Sequence, residues 1–277
     1  MELIELCKEI GIPKDAAEIL SLLEKEDDNY AAMHALFRKD REVFYKKISE
    51  QEEPEELLLY YYSRFACEVY EEYRKRGLED RIFFDTFRDI SIWCETYYRD
   101  TGKYGLGYYV KDWFWRGLEM KLFRLGRLEY EEMESGEEIA EENVHIRKGE
   151  RVINIHIPAG ESLERDQCLE SIEEAYRRFG KEQQYICHSW LLFSGLKEIL
   201  PEESNILRFQ ELFDIVKVDY KEREAEWRIF GKGVFCVADY AEKTSLQRRA
   251  KQYLLSGGSL GNGLGILKRE LYNNNSM

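Results

Sequence analysis

The sequence predicts an α+β chain in which a helical part, residues 1–117, precedes a part built on a mixed, partly parallel sheet, residues 118–277. Apolar residues first recur at helical spacing. In LFRLGRLEYEEME, beginning at Leu122, they switch to strict alternation, which is the period of a strand. The stretch Arg151 to Phe193 then reads as strand, loop, helix and strand, the arrangement that joins parallel neighbours. With 44% hydrophobic and 14% aromatic residues, the 277-residue chain has enough apolar material for a substantial core.

In the helical part, Leu3, Ile4, Leu6 and Ile10 form a first helix that Gly11 ends. Pro13 opens a second through AAEILSLLEKE, since proline at a helix start loses no needed amide. Met33, Leu36, Phe37, Phe44 and Ile48 share a stripe that predicts one helix over Tyr30 to Ile48. Pro54 opens the next, closed by basic residues and Gly77, and Asp80 caps a fifth with Phe83, Phe87, Ile90, Trp93 and Cys94 as its stripe. The YYYS and FFDTF aromatics follow helix faces, so core packing explains them better than a ligand box. A last helix is expected at VKDWFWRGLEMK, and the period switch places the boundary near Gly117.

In the second part, strands ending near Met133 and beginning near Arg151 are expected to pair antiparallel across the polar, acidic Ser135–Gly149 segment. Ile153, Ile155 and Ile157 alternate with Val152, Asn154 and His156, and Pro158, lacking an amide proton, stops the strand. Cys168, Leu169, Ile172, Ala175, Tyr176 and Phe179 lie on one stripe of a helix that Gly180 ends. A parallel strand over Tyr185 to Leu192 should follow, then short helices at Ser194–Leu200 and Ile206–Leu212. Strands are expected at FDIVKVDY and EWRIFG, followed by VFCVADY. Thr244 caps SLQRRAKQYLL. The run SGGSLGNGLG reads as a flexible loop before LGILKREL, and the terminal YNNNSM as a frayed end.

A formal net charge of -14 works against non-specific nucleic-acid binding, which needs cations to neutralise phosphates. Cysteines 7, 67, 94, 168, 187 and 236 are scattered, with no CxxC and no clustered histidines, so buried thiols in a reducing compartment are expected, without disulfides or a metal site. The N-terminus lacks the basic flank and apolar core of a signal peptide, and no apolar run approaches the ~20 residues of a membrane span. These features predict a cytoplasmic protein with no nucleic-acid or membrane partner. A homodimer is compatible with them.

HIPAG with SIEEAYRRF, HSWLL with SGLKEILPEESNILRFQELFDIV, the upstream LFRLGRLEYE and the late TSLQRRAKQYLLSGGSLGNGLGIL together carry a resemblance. Over the second half of the chain they resemble the GNAT-like C-terminal half of a group of two-domain bacterial acyltransferases. The resemblance implies transfer of an acyl group from acetyl-CoA or another acyl-CoA co-substrate to an unknown acceptor, a small-molecule or peptide amine or else a hydroxyl. It also implies a helical domain that helps to shape the acceptor site, and no metal.

In the fold so implied, the pyrophosphate of CoA takes amides from the loop and helix start after the first of two splayed parallel strands, where the dipole favours an anion. By position this assigns cofactor binding to Ile157, Gly160, Glu161 and Ser162, with Arg165 as the nearest cation. The loop departs from the family pattern, which has a basic residue or Gln and then spaced glycines. Here only Gly160 remains, and Glu161 and Glu164 add negative charge. His156 and His188 end neighbouring strands and are the candidate catalytic bases, set against the plain reading of histidines bonded to backbone carbonyls. Ser189 and Cys187 point opposite to His188, which excludes a nucleophile and base pair within that strand. Tyr220 and Tyr240 are acids toward a leaving thiolate by residue type alone. The competing class is a catalytically silent relative, in which the same fold senses a ligand or binds a protein.

Overall fold

The structure, a computed structural model, describes residues 1–141, 144–231 and 233–269. The terminal YNNNSM and the end of LGILKREL lie outside them. The chain forms two compact units, Met1–Leu125 with Pro158–Gly160, and Gly126–Ile157 with Glu161–Met277.

The first unit contains α1 (Leu3–Glu9), α2 (Lys14–Glu26), α3 (Tyr30–Lys39), α4 (Arg41–Ser49), α5 (Pro54–Lys75), α6 (Asp80–Thr101), α7 (Trp115–Leu118) and β1 (Leu122–Leu125). Around α5 pack α1, α2, α4, α6 and α7, so its neighbours reach it from more than one side. This explains why the consecutive Tyr60, Tyr61 and Tyr62 are all buried, as the core reading of these aromatics requires. Their hydroxyls find partners: Tyr62 meets Tyr45 at 2.6 Å, and Tyr45 donates to the Lys111 carbonyl at 2.8 Å.

Three helix expectations change. The stripe from Tyr30 to Ile48 belongs to two helices, because Asp40 is extended and its carboxylate accepts from the Val43 amide at 3.1 Å, capping α4. The expected VKDWFWRGLEMK helix shrinks to a turn at Tyr108–Val110 and to α7, which Met120, at φ +54°, ends. Asp80 is the first residue of α6, with Glu79 in the cap position.

The second unit contains β2 (Leu128–Glu134), β3 (Ile139–Glu141), β4 (Val144–Ile146), β5 (Arg151–His156), α8 (Arg165–Phe179), β6 (Tyr185–Ser189), α9 (Asn205–Gln210), β7 (Phe213–Asp219), α10 (Glu224–Phe230), α11 (Ser245–Leu255) and β8 (Asn262–Leu267). Its strands run β2-β5-β6-β8-β7. β5 and β6 are parallel and the other pairs antiparallel, so the sheet is mixed as predicted. The segment between β2 and β5 folds into its own hairpin of β3 on β4.

One face of this sheet carries α8. Tyr130 meets Ser171 Oγ at 3.0 Å, Tyr185 donates to the Ala175 carbonyl at 3.2 Å, and Ile153 and Ile155 are 0% and 1% exposed. On the opposite face Val152, Ile186, Leu264 and Ile266 pack with Ile139 and Ile146 of the hairpin.

EWRIFG is helical, not a strand. The buried residues of α10 are Ala225, Ile229 and Phe230, four and five residues apart, which is the spacing of one helix face. VFCVADY forms only a turn at Val237–Asp239. β6 ends at Ser189, whose hydroxyl accepts from the Leu191 amide at 3.2 Å and turns the chain out of the sheet. The SGGSLGNGLG run, expected as a flexible loop, supplies most of β8, which lies between β6 and β7.

Candidate functional site

The parallel ladder of β5 and β6 covers only Ile153 with Tyr185 and Asn154 with Ile186. Past it, Ile155 and His156 stay on the β2 side, paired with Tyr130 and Glu129, while Cys187, His188 and Ser189 pair with Gly265, Leu264 and Gly263 of β8. The two strands therefore part at their carboxyl ends. In open sheets with crossover helices, ligands collect there because backbone groups at a parting are not spent on a neighbouring strand.

The loop from β5 to α8 carries Ile157, half-buried, then the exposed Gly160, Glu161 and Ser162. Gly160 sits at φ +96° with open space around its α-carbon. α8 begins after Glu164 with no side chain capping it, so its first amides face outward with the positive end of the dipole. Arg127 braces the loop from below, donating through Nε to the Ser162 carbonyl at 2.8 Å and through Nη2 to the Glu161 carbonyl at 2.7 Å. Arg165 is half-buried and lies 3.6 Å from Glu211, so part of its charge is already compensated. Glu164 is held by Ser162 Oγ at 2.9 Å and Asn205 Nδ2 at 2.8 Å, which fixes its carboxylate at the helix start. An uncapped helix start after a glycine turn fits an anionic group.

His156 and His188 lie on the same face of the sheet as Asn154, at different depths in its polar network. Nε2 of His156 is 2.9 Å from Glu131 Oε2 and 3.2 Å from Asn154 Nδ2. A ring nitrogen has either a proton or a lone pair, so only one of these contacts is a hydrogen bond at a time. His188 is exposed and lines a cavity of about 420 Å³ with Asn154, Ile186, Lys217, Asp219 and Asn262. The Lys221 amide, donating at 2.8 Å, holds Asp219 below the usual carboxylate range, helped by the charges of Lys221 and Lys217. Cys187, on the other face, is fully buried, and burial alone pushes its thiol up. Tyr220 is exposed. Tyr240 is 2% exposed and bonded to Glu226 and Arg223, with burial pushing its hydroxyl up to about 12.

Asp219, Lys217 and Asn262 were not singled out from sequence. For Asn262 a partial signal was present: Asn262, Leu264 and Ile266 alternate with Gly263 and Gly265, a strand period with glycine at every second position. Among the described residues no group of three or more His, Cys, Asp or Glu side chains could hold a metal ion. No helix among them is long and apolar enough to cross a membrane.

The profile of an N-acyltransferase N-terminal domain matches residues 1–120, and that of a GNAT-like C-terminal domain matches residues 122–267. No curated protein matches the chain. Solved structures similar to it include an acyltransferase mutant in complex with octanoyl-CoA, at TM-score 0.73. Acyltransferase structures with decanoyl-CoA and teicoplanin, at TM-score 0.71, and with CoA and 10C-teicoplanin, at 0.72, are also similar. Each is 17% identical to this chain over 95% of its length and 86% of theirs. The chain belongs to the family that joins an N-acyltransferase N-terminal domain to a GNAT-like C-terminal domain.

Proposed function

We propose that the chain transfers an acyl group from a CoA thioester to an amine. The observation that carries this reading is the parting of β5 and β6 directly beside the uncapped start of α8. The amides of Gly160, Glu161 and Ser162 and the first turn of α8 would hold the pyrophosphate, with Arg165 at its edge and Ile157 lining the way in. The thioester supplies an acyl carbon open to attack and a sulfur that leaves, so that an amine and a thioester become an amide and a thiol. His188, exposed in the cavity, takes the proton that the amine nitrogen sheds. His156, tied to Glu131, holds the edge of the gap in place. Similarity to structures holding octanoyl-CoA and decanoyl-CoA supports a donor longer than acetyl-CoA.

The test is incubation with octanoyl-CoA or acetyl-CoA and a panel of primary amines, following release of the CoA thiol and the mass of the acylated amine. Thiol release that depends on amine and yields the amide supports the reading. CoA binding without amide formation on any amine would instead favour a ligand-sensing relative.

A further inference from the structure

Asn262 opens β8 and is 1% exposed, yet it lines the cavity that holds His188, Lys217 and Asp219. Its Nδ2 donates to Oε2 of Glu224 at 3.0 Å, while Oε1 of the same carboxylate receives Nε of Arg228 at 3.2 Å. A carboxylate paired with an arginine only accepts, so the amide cannot turn over and its nitrogen must face Glu224. Oδ1 consequently faces away from Glu224, and it is buried with no hydrogen-bond partner. An unpaired buried carbonyl oxygen is destabilising, and a donor from outside the chain would relieve it.

Oδ1 of Asn154, another residue of the lining, is a second buried oxygen without a partner. Its amide faces a histidine nitrogen that either donates or accepts, so its orientation is not locked as that of Asn262 is. Of the charged groups in the lining, Lys217 is matched by Glu137 at 2.5 Å, leaving the carboxylate of Asp219 to set the sign. Buried oxygens without donors, beside a carboxylate, suit a ligand with several N–H groups and a positive charge.

We infer that this cavity receives the nitrogen of the acyl acceptor and that Oδ1 of Asn262 takes a hydrogen bond from it, which selects amines over alcohols. Calling the ligand an acceptor rests on the acyl-transfer reading above; the preference for an amine does not. An alcohol brings a single O–H and no charge, and its own oxygen would sit among acceptors.

The test uses benzylamine and benzyl alcohol as matched probes, titrated into the whole protein at neutral pH without CoA. Benzylamine should bind at least tenfold more tightly than the alcohol. Asn262→Leu, close in volume, should lose that preference. Glu224→Gln, whose amide both donates and accepts, should unlock Asn262 and weaken benzylamine several-fold. Equal binding of the two probes by the parent, no binding of benzylamine, or unchanged benzylamine affinity in Asn262→Leu would overturn the inference. If Asn262→Leu does not fold, the parent comparison and Glu224→Gln decide. A separate titration with octanoyl-CoA keeps the two readings apart, because a failure to bind it strikes the acyl-transfer proposal alone.

Discussion

A β-carbon added to Gly263 would stand 2.1 Å from the carbonyl oxygen of Leu192. The turn that leaves β6 at Ser189 lies directly on β8, and only a residue without a side chain allows that approach. Gly265 meets Leu192 and Phe213 in the same way, at 2.8 and 2.9 Å. These glycines serve close packing inside the sheet.

Gly263→Ala should therefore destabilise the protein by about 1 to 3 kcal/mol, the usual penalty of overpacking, or more where backbone must shift. Gly136→Ala, where a β-carbon would meet open space, should stay within about 0.5 kcal/mol of the parent. Chemical denaturation of the two variants checks this. Equal stabilities would mean that the Leu192 turn does not rest on β8.

The same contact shows where the sequence was legible and where it was not. Ile153, Ile155 and the stripe of α8 announced themselves by period, because each side chain there faces either core or solvent. β8 hid its period behind Gly263 and Gly265, whose role is set by a turn some seventy residues earlier. Local propensity does not hold that information. Asp40 inside an apolar stripe was a cap signal outvoted by its neighbours. His156 and His188 could be named from their places on two strands, but the pairing of one with Glu131 and the opening of the other into a cavity depend on register across the sheet.

Thiol reactivity offers an independent check on burial. Cys7, Cys67, Cys94, Cys168 and Cys187 are buried and Cys236 is exposed. Burial pushes the thiols of Cys94 and Cys168 up to about 11, so at pH 8 both stay protonated and unreactive. A disulfide-exchange reagent should label one thiol per native chain at pH 8 and all 6 in denaturant. Rapid labelling of two or more in the native protein would contradict the packing described.

The division of roles between the two histidines predicts a kinetic split. His188→Gln should lower kcat by about 10² to 10⁴, the range expected for loss of a general base, and leave the affinity for acyl-CoA near that of the parent. His156→Gln should act more weakly on kcat and more on stability, since it removes one partner of a Glu131 carboxylate that is 8% exposed. Steady-state kinetics with octanoyl-CoA and a primary amine would show the reverse assignment if it held.

In the proposed reaction a CoA thioester binds where β5 and β6 part, with its phosphates at the start of α8. The most direct measurement is the gain in thermal stability on adding octanoyl-CoA, compared between the parent and Gly160→Val. At 100 times its dissociation constant the ligand should add about 2.7 kcal/mol to the parent. Gly160→Val crowds the phosphate turn with a branched side chain at a φ of +96° and should lose most of that gain. No stabilisation of the parent at millimolar octanoyl-CoA, or an undiminished gain in Gly160→Val, would contradict the account.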